Sequence, residues 1–163
     1  MSLKSVSPDK YKGNYESDVV EQWKSCVEAA TSITEHRANS NNVFITINSA
    51  LLAVITYTLS AKSVLLSLVG ITICVLWMRS IQSYHQLSSA KYHIINDIES
   101  LLPLAPFTHE WEQLKDKYHY QGLTNIEKLL PWLFVGIYIL SILYPLFKLL
   151  LPLFYNQIGG VAS

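Results

Sequence analysis

The sequence carries little charge, and two long stretches of it hold no acidic residue. Among 163 residues there are 12 basic and 12 acidic side chains, so the formal net charge is zero. This balance gives no whole-chain basis for nucleic-acid binding, which depends on an excess of Lys and Arg facing phosphates. No Asp or Glu occurs between Glu35 and Asp97 or after Glu127, and the long apolar runs lie in these stretches. The distribution predicts a membrane protein.

Other absences exclude several classes of protein and site. The two cysteines, Cys26 and Cys74, do not form a disulfide framework, and six Gly and six Pro exclude a collagenous or low-complexity chain. There is no Gly-rich phosphate loop, no Ser in a nucleophile elbow, and no His set with metal-ligand spacing. We therefore expect no enzyme activity, no cofactor, no metal and no nucleic-acid partner.

Three apolar runs predict three membrane spans, at residues 43–60, 63–78 and 129–155. The first lies in a window free of charge from Ala38 to Ala61, which at ~1.5 Å per helical residue is long enough to cross a ~30 Å hydrocarbon core. Because only Ala61 and Lys62 separate the first two runs, they predict a tight antiparallel hairpin.

The distribution of Lys and Arg predicts the orientation in the membrane. Ten of the 12 basic residues precede the first span or lie between the second and third, and only Lys62 and Lys148 lie elsewhere. By the positive-inside rule, the N-terminus and residues 79–128 are cytoplasmic and the C-terminus is outside. Aromatic residues near the span ends, Trp77 and Tyr84 among them, fit anchoring at the membrane interface.

Apolar residues at heptad spacing predict that the first two spans continue as coiled cytoplasmic helices, at residues 15–42 and 79–102. The first row is Val19, Trp23, Cys26, Ala30 and Ile33. The second is Tyr84, Leu87, Lys91, Ile94, Ile98 and Leu101, widened by Ile81, Ile95 and Leu102. Lys91 either sets the register of this seam or lies at its edge. Seams of this length on thin helices predict a homo-oligomer.

The complete prediction is an all-α, multi-pass membrane protein. A long transmembrane helical hairpin, residues 15–102, continues as cytoplasmic coiled helices and is joined by a third, C-terminal membrane helix. Residues 1–14 are expected to be disordered, residues 103–128 to form a cytoplasmic cap and residues 156–163 to be a tail.

A polar stripe follows one face of the first predicted span, and we name it the α1 stripe. Its members are polar or small and alternate at spacings of three and four residues: Glu35, Asn39, Asn42, Thr46, Ser49, Ala53, Thr56 and Ser60. One interpretation is close helix packing, because small residues let backbones approach and hydroxyls and amides bond across. The other is that the stripe lines a water-filled path in a ring of subunits. A weaker stripe in the second span, Ser63, Ser67, Gly70 and Cys74, favours packing.

Two blocks of the sequence resemble a known family. From Arg37 the chain reads RANSNNVFITINSALL, and from Ile81 it reads IQSYHQLSSAKYHIINDIESLLPLAPFTHEW. These blocks resemble the small bacterial inner-membrane proteins of the RipA family of octameric membrane proteins. A looser similarity is to the two-helix SLATT domains, membrane effectors found beside bacterial nucleotide-sensing defence genes. The resemblance covers about residues 15 to 140.

The resemblance implies a ring-like homo-oligomer, an octamer, in a bacterial inner membrane. The family has no established catalytic residues to carry over. The positions that match its characteristic residues are expected to be structural, at the membrane boundary and at subunit contacts. They are Arg37, Asn41, Phe44, Asn48, Ser83, Tyr84, Lys91, Glu99, Pro103, Pro106 and Trp111.

Two functions are consistent with these observations. The first is a ring-like, channel-like homo-oligomer that acts in stress response or defence. The alternative is a membrane-anchored scaffold whose cytoplasmic helices bind a soluble protein, with no transport. The expected partners are therefore other copies of the chain, the lipid bilayer and, in the second case, an unidentified cytoplasmic protein.

Overall fold

Every regular element of the described chain is helical. The computed structural model describes residues 6–58, 61–117 and 123–159, and these ranges contain no strand. After a short 3-10 helix at Pro8–Lys10, five helices follow: α1 (Tyr15–Thr58), α2 (Ala61–Glu99), α3 (Pro106–Asp116), α4 (Leu123–Glu127) and α5 (Leu129–Gly159). The predicted all-α fold is confirmed.

The two longest helices run without a break through the predicted arms and spans. α1 has 44 residues and α2 has 39, and neither contains a proline. α2 ends at Glu99, three residues before the predicted end of its arm. Pro106 begins α3, because a proline at the first helical position lacks only an N–H that would have no helical partner.

Two helical segments of the described chain are long and apolar enough to cross a membrane. They lie within Ser63–Glu99 and Leu123–Lys148, which include the second predicted span and residues 129–148 of the third. The first predicted span, 43–60, is not among them, and its last two residues lie outside the described ranges. Its amides and hydroxyls lower the mean hydropathy of α1, so its crossing of the membrane stays a prediction.

The chain divides into two compact units whose boundaries fall inside α1 and α2. The arm unit consists of Met1–Asn39 and Gln82–Thr124, and the span unit consists of Ser40–Ile81 and Asn125–Ser163. The span unit therefore contains the C-terminal part of α1 and the N-terminal half of α2 together with α5.

Within the span unit, α2 buries one continuous face of small residues. Ser63, Ser67, Gly70, Cys74, Trp77 and Ile81 alternate at spacings of three and four, and all six are buried. The hydroxyl of Ser67 has no hydrogen-bond partner among the described residues, so this serine contributes small size rather than a bond. The second-span stripe thus packs inside the subunit, as its composition favours.

Gly70 is a point of close approach between α2 and α5. A Cβ built on Gly70 would overlap the ring of Tyr138. Tyr138 forms the core of the span unit with Ile55 and Cys74. Only glycine leaves room for the aromatic ring at this position.

Within the arm unit, the predicted seam of α1 faces inward, whereas the predicted seam of α2 has both buried and exposed members in the single subunit. Ala30 is buried and the other four seam residues of α1 are half-buried. On α2, Ile95 and Ile98 are buried, but Leu87, Ile94 and Leu101 are exposed. α3 packs beside α2 on the Tyr92 side, where Phe107 contacts the Tyr92 ring, and this shifts the buried face of α2 away from Ile94.

We predict that Gly70→Ala lowers the stability of the span unit by about 1–3 kcal/mol, because the added methyl group displaces the Tyr138 ring from a packed core. Thermal unfolding in detergent, followed by circular dichroism, measures the change. Ser67→Ala, one turn earlier on the same buried face, is the matched control and leaves the unfolding midpoint unchanged or raises it. An unchanged midpoint in the Gly70 variant would contradict the close α2–α5 contact.

Candidate functional site

The α1 stripe faces away from the other helices of its own subunit. Its seven described members, Glu35 to Thr56, are all exposed, and Ser60 lies outside the described residues. The opposite side of α1 carries Asn48 and Ile55, which are buried. The packing interpretation therefore requires another subunit, since the chain's own described helices do not cover the stripe.

Two threonines of the stripe satisfy their hydroxyl groups within α1. The hydroxyl of Thr46 donates to the carbonyl of Asn42 at 2.8 Å, and that of Thr56 donates to the carbonyl of Ala53 at 2.8 Å. These bonds lower the cost of placing threonine in an apolar medium. The strongest polar character of the stripe therefore comes from its amides, Asn39 and Asn42, and from Glu35.

α5 presents the opposite kind of surface. From Leu129 to Phe147 it contains no charged residue, and its exposed side chains are almost entirely large and apolar. They include Trp132, Leu133, Ile137, Ile139, Leu140, Leu143, Tyr144, Leu146 and Phe147. Such a surface suits lipid tails, whereas the α1 stripe does not.

A buried polar cluster centred on Asn48 joins the three long helices of the span unit. The amide group of Asn48 donates to the carbonyl of Phe44 at 2.8 Å. Its oxygen accepts from the Tyr138 hydroxyl of α5 at 2.9 Å and from the Cys74 thiol of α2 at 3.4 Å. Each polar atom of the amide side chain thus has a partner inside the core, which removes the cost of burying it.

A second contact set lies two turns earlier on α1. The indole N–H of Trp77 donates to the side-chain oxygen of Asn41 at 2.9 Å, and its ring stacks on Phe44 with centroids 5.7 Å apart. Trp77 is 0% exposed. The interpretation of Trp77 as an interfacial anchor is therefore wrong, because the indole has its hydrogen-bond partner inside the subunit.

In the arm unit, the buried carboxylate of Glu99 caps the N-terminus of α3. It accepts hydrogen bonds from the backbone N–H groups of Phe107 and Thr108, both at 3.0 Å, and from the Thr108 hydroxyl at 2.9 Å. Glu99 is 1% exposed. Its negative charge is stabilised there by the helix dipole and by three donors.

The remaining residues singled out by the resemblance occupy varied positions. Arg37 is half-buried and donates to the hydroxyl of Thr124 at 3.0 Å, so it joins α1 to α4. Tyr84 and Lys91 are half-buried on the inner side of α2. Trp111 is 49% exposed, with the Lys115 ammonium 5.4 Å from its ring centroid.

Two residues with central roles were not singled out from the sequence. Tyr138 lies in a predominantly apolar helix, and its hydroxyl among aliphatic neighbours is a signal that Tyr144 of the same helix shares. Phe107 packs between Trp23 and Tyr92, with centroids 6.0 Å from each. The proline before it predicts where a helix starts, but nothing in the sequence predicts the contacts of Phe107 with Trp23 and Tyr92.

In the described part of the chain, no three His, Cys, Asp or Glu side chains group together to hold a metal ion. The α1 stripe is exposed, whereas Asn48 and Glu99 are buried and hydrogen-bonded. None of the three contains a paired nucleophile and base.

The comparison with known proteins identifies one family. The model described as the octameric membrane protein family (8xMP) matches residues 20–147, which is most of the chain. No curated protein and no solved structure matches. The matched range covers α1 from Val20 onward, α2, α3, α4 and α5 as far as Phe147.

We predict that Glu99→Ala lowers the free energy of unfolding of the arm unit by about 1–3 kcal/mol, because two backbone donors and one hydroxyl lose their buried acceptor. Limited proteolysis near residues 100–116 and thermal unfolding in detergent measure the effect. Glu110→Ala, an exposed acid on α3, is the control and leaves both unchanged. If the two variants behave equally, the Glu99 carboxylate does not stabilise the start of α3.

Proposed function

The chain belongs to the octameric membrane protein family, and from that premise we propose that eight copies form a ring in which the α1 stripe lines a water-filled path. The observation that carries this proposal is the exposure of the whole described stripe on a helix whose opposite face is buried. The ring stands in a bacterial inner membrane, and α1 is a third crossing beside the two candidate spans.

The polarity of the stripe supports contact with water rather than with lipid. A hydroxyl that enters an apolar environment without a partner costs roughly 2–7 kcal/mol. Within the predicted span the stripe carries the hydroxyl of Ser49, whereas Asn39 and Asn42 lie at its cytoplasmic end. Eight subunits multiply that cost. A path along the ring axis removes it, because water then solvates the hydroxyl of Ser49.

The apolar surface of α5 supports the arrangement of helices in the ring. With α5 on the outside, its exposed leucines, isoleucines and aromatics contact lipid tails, and α1 is directed to the axis or to the neighbouring subunit. The hydrogen bond from Tyr138 to Asn48 holds α5 against the side of α1 that faces away from the stripe.

The orientation and the physiological role rest on the sequence. The excess of Lys and Arg before the first span and between the second and third supports a cytoplasmic N-terminus. The resemblance of the two sequence blocks to RipA-family proteins, and more loosely to SLATT effectors, supports a role in stress response or defence.

A scaffold without transport is the second candidate function. The observation that favours it is an open apolar groove in the arm unit, lined by residues of both arms. A soluble protein that docks there would need the membrane helices only as an anchor. Conductance separates the two candidates, because the scaffold needs none.

We predict that the purified octamer conducts ions in liposomes and that leucine at Thr46, Ser49 and Thr56 abolishes the conductance while the particle keeps its mass. The three side chains are exposed in the subunit, so the change fills the path without disturbing the subunit core. Conductance is recorded in planar bilayers, and mass by light scattering with detergent correction.

The matched control places leucine at Val43, Ile47 and Val54, which are exposed on the same helix beside the stripe. That variant keeps both conductance and mass. Loss of the octamer in the stripe variant alone would favour packing between subunits. Survival of both conductance and assembly in the stripe variant would contradict any functional role of the stripe.

A further inference from the structure

The arm unit has two apolar grooves, one on each side of its α1–α2 pair, and one of them is open. The open groove has a volume of about 390 Å³. Val19 and Cys26 of α1 and Ile94, Ile98 and Leu101 of α2 line its floor. Val6, Tyr11 and Tyr15 of the N-terminal segment also line the groove, yet Ile94 and Leu101 are each 37% exposed, so the described residues leave it open beside these two side chains.

The other groove is filled by α3 of the same chain. Phe107 lies between Trp23 of α1 and Tyr92 of α2, and Glu99 fixes the start of α3 at that place. On α2, Tyr92 contacts α3 and Ile94 lines the open groove, and the two are about 200° apart around the helix. On α1 the same separation lies between Trp23, which contacts α3, and Ser25, which lines the groove. α3 and the open groove are therefore on opposite sides of the helix pair.

α3 in turn exposes large apolar groups. Trp111 is 49% exposed, and Leu104, in the turn before α3, is 78% exposed. An indole and a leucine left open to water are unfavourable on a monomer, since burial of such a side chain contributes roughly 1.5–3 kcal/mol.

The height of Trp111 along the arms matches the height of Cys26. Phe107 contacts Trp23, and the Arg37–Thr124 bond shows that the chain after α3 advances in the same direction as α1. Trp111 is one turn beyond Phe107, about 6 Å, and Cys26 is three residues beyond Trp23, about 4.5 Å. Rotation about a ring axis parallel to the arms keeps every residue at its height, so Trp111 of one copy reaches the level of Cys26 in the next.

We propose that the open groove is a subunit interface that receives Trp111 and Leu104 of α3 from the neighbouring copy. A closed ring needs two different, complementary faces on each subunit, and the groove and α3 supply them on opposite sides of the arm pair. The interface is heterologous, so each copy gives α3 to one neighbour and receives α3 from the other. It rests on octameric assembly and not on conduction through the ring.

Cross-linking through the native Cys26 tests this interface. In a full-length Cys74→Ala background, Trp111→Cys is treated in membranes with copper phenanthroline, and the products are separated without reductant. We expect a ladder of covalent species that extends to eight subunits, because every interface of the ring closes in the same way. Adding Cys26→Ser removes the ladder.

The control is Glu110→Cys, which is exposed on α3 about 100° round the helix and gives no ladder. A second pair, Leu104→Cys with Val19→Cys in a Cys26→Ser background, tests the other end of the groove if Trp111→Cys fails to assemble. Absence of both ladders in particles of octamer mass would overturn the proposal. Products that stop at the covalent dimer would overturn it as well, since they indicate a two-fold interface.

Discussion

The arrangement of the span unit depends on the buried amide of Asn48. In an apolar interior this side chain is stable only if its donor and acceptor have partners, and it finds them on α1, α2 and α5. The bond to Tyr138 fixes how α5 approaches, and that approach in turn requires glycine at position 70. One polar residue thus sets the positions of three helices that would otherwise slide on non-directional apolar contacts.

Because α5 is committed to this cluster, the two small-residue stripes have different roles. The stripe on α2 is buried inside the subunit, where its small side chains let α1 and α5 come close. The stripe on α1 points the other way and is left for a neighbour or for water. Similar composition therefore leads to packing in one helix and to a candidate path in the other, and the difference is only rotation about the helix axis.

In the arm unit, one buried polar residue and a set of aromatic contacts fix the position of α3. Glu99 holds the start of α3, and Phe107 inserts between Trp23 and Tyr92, so one flank of the arm pair is covered from within the chain. The groove on the uncovered flank and the exposed Trp111 are the two faces that we propose to meet between neighbouring copies. A cyclic assembly needs two different faces, because each copy presents one face to one neighbour and the other face to the next.

The sequence by itself determined the fold class, the long uninterrupted helices and the membrane character. These follow from local properties: apolar runs without acids, the absence of proline between Tyr15 and Leu102, and the placement of Pro106 at a helix start. The resemblance of its two blocks also singled out Asn48 and Glu99, though not what either side chain contacts.

Only the tertiary structure decided which face of each helix is buried. Heptad spacing could not choose between Ile94 and Ile95 on α2, since neighbouring rows differ by about 100° and both are apolar. Likewise, Trp77 near a span end and Tyr138 in an apolar helix show no partner in the sequence. Their roles depend on Asn41 and Asn48, far away along the chain, and side-chain contacts at such separations exist only after the helices have packed.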